Sequence, residues 1–163
     1  MFGEINVAEK QKILEDMMRN KLKKDSFDAL KNRDNKRVDV LRFLISLIDK
    51  KELQLPPDGL TEAEEIAVLR KELKNKEESK EMFLKGGRQD LVDQLDYEIS
   101  VVREYLPAEI SEEKIREIVD EVLKNKIGED VNFGLIMREV MSKTGGAVDG
   151  SVVSRIVKEK ING

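Results

Sequence analysis

The chain of 163 residues contains no histidine, cysteine or tryptophan. Thiol nucleophiles, histidine general bases, histidine-based triads and Cys/His zinc sites are closed to it, and with them most of the chemistry that small enzymes use. No disulfide framework can form. No apolar run approaches the roughly 20 residues that a membrane span requires. The start, Met1-Phe2-Gly3-Glu4-Ile5-Asn6, lacks the basic and apolar regions of a signal peptide, so a cytoplasmic location is the expectation. Gly-rich phosphate loops and Ser-rich amidase signatures are missing as well. Tyr97 and Tyr105 are the only tyrosines, which leaves few rings for a base-stacking platform. Catalytic residues, metal ligands and cofactors are therefore all expected to be none.

What the chain does have is charge, unevenly placed. Residues 18–55 hold eleven basic and six acidic residues, a net of +5, while residues 56–131 hold twelve and twenty-one, a net of −9. Residues 132–163 return to +2, from five basic and three acidic residues. A polyanion is repelled by the middle of such a chain. If it binds nucleic acid, the phosphates meet the N-terminal or the last helices. Charge runs of this kind are more commonly just solvated faces.

Apolar residues recur at helical spacing and nowhere alternate as in a strand, so the fold class is all-α and multihelical. Ile13, Leu14, Met17 and Met18 mark a first amphipathic helix, and Leu22, Ser26, Ala29 and Leu30 a following turn or short helix. Asp34 reads as a cap or break. From Val38 a broad stripe of Leu41, Ile45 and Ile48, widened by Val40, Leu44 and Leu47, suits burial between neighbours. Leu55-Pro56-Pro57-Asp58-Gly59-Leu60 is a loop, and Thr61-Glu62-Ala63-Glu64 is a capping box that opens the next helix. That helix carries Ile66, Leu69 and Leu73, then almost nothing apolar until Met82-Phe83-Leu84, so its far end is expected to project beyond the core. Gly86-Gly87 ends it through positive φ, Asp90 is positioned to cap the return helix, and Pro107 closes that helix. The return stripe is Leu91, Leu95, Ile99, Val102 and Leu106.

Ser111 is the candidate cap of a further helix, and Glu112-Glu113 sit favourably at the positive end of its dipole. Ile115, Ile118, Val119, Val122 and Leu123, then Phe133, Ile136, Met137, Val140 and Met141, then Val152, Val153, Ile156, Val157 and Ile161 mark three short helices punctuated by Gly128, Gly145-Gly146 and Asp149-Gly150. The expected domains are an N-terminal helical domain over 1–107, with a 1–17 extension and a 61–106 hairpin, and a C-terminal three-helix domain over 108–163.

Two basic groups are the candidate RNA-binding residues. Lys31, Arg33, Lys36, Arg37 and Arg42 form the denser one, although Lys36 and Arg37 do not share a helix face with Arg33. Asp34, Asp39 and Asp49 are available to pair with them. Arg138, Lys143, Arg155, Lys158 and Lys160 form the other, near glycines that either let a ligand approach or simply cap helices. Arg88 in the hairpin turn is a guanidinium fork for phosphate or carboxylate, or else the partner of Asp90 or Asp93.

The order of these motifs resembles the GatB/YqeY family. Lys85-Gly86-Gly87-Arg88-Gln89-Asp90-Leu91, a helix, and Leu106-Pro107 are similar to its hairpin. Asp25, Ala29, Lys31, Arg33-Asp34, Arg37 and Leu41-Arg42 resemble its N-terminal pattern. Gly134, Met137, Val140-Met141, Lys143, Gly146, Asp149-Gly150, Val153 and Val157-Lys158 resemble its closing motif. The likeness covers about residues 20–162. It departs from the pattern in the seventeen preceding residues, in the missing proline after Met141, and at Gln94-Leu95, where a more acidic stretch is usual.

The resemblance implies a tie to the helical tail of the B subunit of tRNA-dependent amidotransferases, which meets tRNA. It attaches the label of carbon–nitrogen ligase with glutamine as amido donor, an activity whose chemistry lies outside that tail. The function it implies is a noncatalytic tRNA- or RNA-associated helical module, partnered by tRNA or by a protein of the translation or amidotransferase machinery, with no membrane involved. A protein-interaction adaptor that binds no RNA is the alternative.

Overall fold

The computed structural model describes residues 6–126, 132–145 and 147–163, without the side chains of Leu14 and Glu15. Gly128 and Gly146, two of the glycines taken above as punctuation, lie outside the described residues. Among those residues the chain forms eight helices and no strand. None of these helices is long and apolar enough to cross a membrane. The chain divides into two compact units, Met1–Leu106 and Pro107–Gly163.

The first unit contains α1 (Val7–Asp16), α2 (Met18–Lys31), α3 (Asn35–Leu53), α4 (Glu62–Lys85) and α5 (Gln89–Tyr105). Local chemistry sets several of their ends. Asp34 caps α3 by accepting the Arg37 N–H, and Thr61 caps α4 by accepting the Glu64 N–H. α4 closes in a Schellman motif: Arg88 N–H donates to the Phe83 carbonyl at 2.9 Å and Gly87 N–H to Leu84 at 3.2 Å. Gly87 alone takes the left-handed backbone, with φ +70, while Gly86 stays helical. Arg88, not Asp90, occupies the N-cap position of α5. Asp90 lies two residues inside the helix, and its carboxylate is taken up by the Arg88 side chain at 2.9 and 3.0 Å.

The core of this unit is built on Leu22, Leu41, Leu44, Ile48 and Leu69, all fully buried, together with Val101 and Val102 of α5. Each of the leucine and isoleucine side chains contributes roughly 1.5–3 kcal/mol by leaving water. On α5 the buried face is centred on Val92, Ile99, Val102 and Tyr105, with Leu91, Leu95 and Leu106 half-buried at its edge. Ile99 and Val102 of the expected stripe are buried, and Tyr105, whose hydroxyl donates to Asp25, is buried next to the half-buried Leu106. Beyond Lys76, α4 buries no side chain, and Met82 and Leu84 near its end stand open to solvent.

The start of the chain departs most from its pattern. Ile13 and Met18 do not share one helix, because the backbone breaks at Met17, whose ψ is 141, and Met18 opens α2. Met18 is buried and Ile13 is exposed. The turn or short helix expected around Leu22 is a full helix of 14 residues, with Leu22, Ser26 and Ala29 inward and Leu30 outward. The cause is distant in sequence: Glu65 of α4, fully buried, accepts the N–H groups of Met18 at 2.9 Å and Arg19 at 3.1 Å. It acts as the N-terminal cap that Met17 cannot provide.

The second unit contains α6 (Glu112–Asn125), α7 (Phe133–Thr144) and α8 (Gly150–Asn162). Ser111, Asn132 and Asp149 cap them in turn. Their inward faces meet in a core of Ile115, Val119, Val122, Ile136, Val140 and Ile156, among others.

Candidate nucleic-acid interface

The turn from α2 to α3 repeats the Schellman geometry of α4, with one change of residue. Asp34 N–H donates to the Ala29 carbonyl at 2.9 Å and Arg33 N–H to Leu30 at 3.1 Å, which puts Arg33 where Gly87 stands in the hairpin. Arg33 holds φ +58, a left-handed conformation that costs a residue with a Cβ about 1–2 kcal/mol. Its side chain is exposed, and no carboxylate among the described residues pairs with it. Lys31, two residues earlier, lies over the exposed ring of Phe27 at 4.5 Å.

Helix periodicity places the rest of this surface. Lys23 and Phe27 follow Arg19 at four-residue intervals on α2, so all three share a face. Arg19 reaches Asp49 of α3 at 3.1 Å and also pairs with Glu52. Arg42 precedes Asp49 by seven residues, two helical turns, and so faces the same seam between α2 and α3. It too is exposed, with no ion pair among the described residues. Lys23, Phe27 and Lys31 thus stand on the exposed side of α2, with Arg33 at its C-terminal turn and Arg42 exposed on α3. Phe27 and Lys23 were missed by sequence reasoning that counted only tyrosines as stacking rings. The signal was there in the spacing from Arg19.

Other candidates are committed elsewhere. Lys36 points away from the seam, its ammonium 4.1 Å from the centre of the Tyr97 ring on α5. Arg37 pairs with Glu104 at 2.7 Å and donates to the Tyr105 hydroxyl at 3.4 Å, so its partner is on α5 and not among Asp34, Asp39 and Asp49. Donation to the Glu104 carboxylate holds the Arg37 guanidinium more firmly protonated than usual. Burial and the neighbouring Asp25 push the Tyr105 hydroxyl well above its ordinary range, so it remains a donor. Arg88 is exposed and tied to Asp90.

In the second unit, Arg155 pairs with Glu112 at 3.0 Å and with Glu159 at 3.1 Å, and Arg116 pairs with the same two acids. This square of charges holds both carboxyls below their usual range, through the bonds from the two arginines. Lys160 pairs with Asp120 at 2.9 Å and Lys143 with Glu121 at 3.3 Å. Lys158 lies over Phe133 at 5.7 Å, and Arg138 is exposed with no ion pair among the described residues. The second basic group is largely answered within its own unit.

These features define a class: an all-helical protein with a long antiparallel hairpin and a seam of unanswered cations. Among the described residues, no group of three or more acidic side chains is placed to hold a metal ion. The model of YqeY-like proteins matches residues 19–161, and the chain belongs to that family. The match leaves α1 outside it. No curated protein matches the chain.

Proposed function

We propose that this protein is a noncatalytic RNA-associated helical module that meets the phosphate backbone of tRNA along the α2–α3 seam. The observation that supports it is Arg33. Glycine is the least strained residue at that position, yet the chain keeps an exposed, unpaired guanidinium there at a cost in backbone energy. Strain held at a solvent-facing cation is a mark of a functional position. Lys23, Lys31 and Arg42 add charge alongside it, and Phe27 offers one ring face. Resemblance to the tail of the amidotransferase B subunit points to the same class of RNA, and to a protein of the translation machinery as a further partner. The carbon–nitrogen ligase label belongs, on this reading, to the enzyme that the tail serves.

The test is filter binding of bulk tRNA across a salt series. Saturable binding that weakens steeply with salt is expected, with weak base preference. Arg33→Gly and Arg42→Gln should each reduce the salt slope by about one. Arg155→Glu with Lys158→Glu should leave affinity within about twofold, because surface charges already answered locally contribute little. Absence of binding at low salt overturns the reading. It would favour a protein-interaction adaptor, for which Met82 and Leu84, 65% and 51% exposed at the hairpin tip, are the specific observation.

A further inference from the structure

Elements α3, α4 and α5 border a groove of about 460 Å³, within the size range of small-ligand sites. Its lining combines two aromatic rings, Phe43 and Tyr97, with four carboxylates against two ammonium groups. Lys76 is almost fully buried; it pairs with Glu98 at 2.6 Å and Glu72 at 3.2 Å, and lies 5.1 Å from the Phe43 ring. Burial raises the Glu98 carboxyl, but bonds from Lys76 and Gln94 outweigh it and hold the group ionised below its usual range. Lys36 is different. It is exposed, has no ion pair among the described residues, and lies on the Tyr97 face at 4.1 Å.

In this groove one cation, the Lys36 ammonium, already rests on an aromatic face with no carboxylate paired to it among the described residues. Aromatic faces bordered by carboxylates attract organic cations and repel phosphate. Asp90 is paired with Arg88, Glu98 with Lys76, and Asp93 accepts from the Gln89 amide at 2.7 Å through one oxygen, so with Lys36 swung out the Tyr97 face, Asp39 and the second oxygen of Asp93 are left for a ligand.

We propose that this groove binds a small aliphatic polyamine, with one ammonium on the face of Tyr97 and another against Asp93. Lys36 is then a resident competitor. Removing it improves binding, and loss of binding in Tyr97→Leu, which alters no charge, is what diffuse attraction between a polyamine and an acidic protein would not give.

The test is calorimetric titration of the full chain, free of RNA, with spermidine at low salt. Saturable binding is expected, tightened about threefold to tenfold by Lys36→Ala and weakened by a similar factor in Asp93→Asn. Tyr97→Phe should bind as the parent does, and Tyr97→Leu should lose most of the affinity. No saturable heat at millimolar spermidine overturns the proposal, as does a Lys36→Ala variant that binds no better. Equal binding of magnesium at matched ionic strength overturns it in favour of nonspecific charge. A tetralysine peptide that binds more tightly than spermidine, with the same response to the variants, overturns the small-molecule assignment in favour of a basic partner segment.

Discussion

Glu65 accepts the backbone N–H of Met18 at 2.9 Å across 47 residues of sequence, so the start of α2 is capped by a side chain of α4. The same carboxylate takes the Arg19 N–H. Removing it leaves two buried or half-buried donors without an acceptor. Glu65→Ala should therefore cost about 2–3 kcal/mol, the sum of a lost cap and an unanswered donor. Glu65→Gln keeps a carbonyl oxygen and should cost about 1 kcal/mol. Urea denaturation of the two variants checks the order, and faster exchange of the Met18 and Arg19 amides in Glu65→Ala checks the cause.

The same residue predicts a pH response. Burial pushes the Glu65 carboxyl above the ordinary 4.5, against the lowering effect of the Arg19 and Met18 N–H groups. An acid held more firmly protonated when folded adds stability as pH falls through its folded value, fully by 4.5, and withdraws it as pH rises. Glu98 has the opposite sign. Its folded value lies below 4.5, so its contribution is present above 4.5 and is lost as pH falls through the lowered value. Unfolding free energy is thus expected to climb as pH is lowered from neutrality toward 4.5, then to fall. In Glu65→Gln the climb should disappear while the acid-side fall remains, as a denaturation series against pH would show.

Arg33 and Gly87 occupy equivalent helix-ending positions with φ +58 and +70. Arg33→Gly should stabilise the chain by about 1 kcal/mol, and Gly87→Ala should destabilise it by about 1–2 kcal/mol. A Cβ at Gly87 would meet nothing within 4 Å, so its cost is backbone strain alone. Gly86→Ala, with φ −84, should be neutral or slightly stabilising. Thermal melts of the three variants check the signs. If the proposed interface is correct, Arg33→Gly gains stability while losing RNA affinity.

Lys76 lies between Glu72 and Glu98, and its side chain is only 9% exposed. Lys76→Met should cost about 2–4 kcal/mol, because two half-buried carboxylates lose their counter-charge. Lys76→Met combined with Glu98→Gln should recover part of that loss. A double-mutant cycle read by chemical denaturation measures the coupling.

What could be read from the sequence was what neighbours in the chain decide. Caps at Asp34, Thr61 and Ser111 follow from a side chain reaching an amide three residues on, and Asp149, read only as punctuation, caps α8 through an amide two residues on. Local too are the broad stripe of α3 and the bare outer half of α4. The break at Met17 was not legible, since Met17 and Met18 look like consecutive members of one apolar stripe and the cap that divides them comes from Glu65. Arg33 was visible as a charge but not as a left-handed residue in a position that usually takes glycine. Arg37 was grouped with it because no local pattern announces Glu104, 67 residues later. The groove takes its walls from three helices and has no sequence motif at all.

The outer half of the α4–α5 hairpin has a consequence for how this protein can vary. Past Lys76, no side chain of α4 is buried, and the arms are joined there by surface pairs such as Lys80 with Asp96. On the α5 arm Val92 is the one buried side chain close to the turn. Insertion of about two helical turns, roughly seven residues, in each arm keeps every buried face in register while lengthening the hairpin by about 10 Å, whereas deletion on the α5 side would remove the buried Val92. The reach of the hairpin can thus be extended without disturbing the core that supports it.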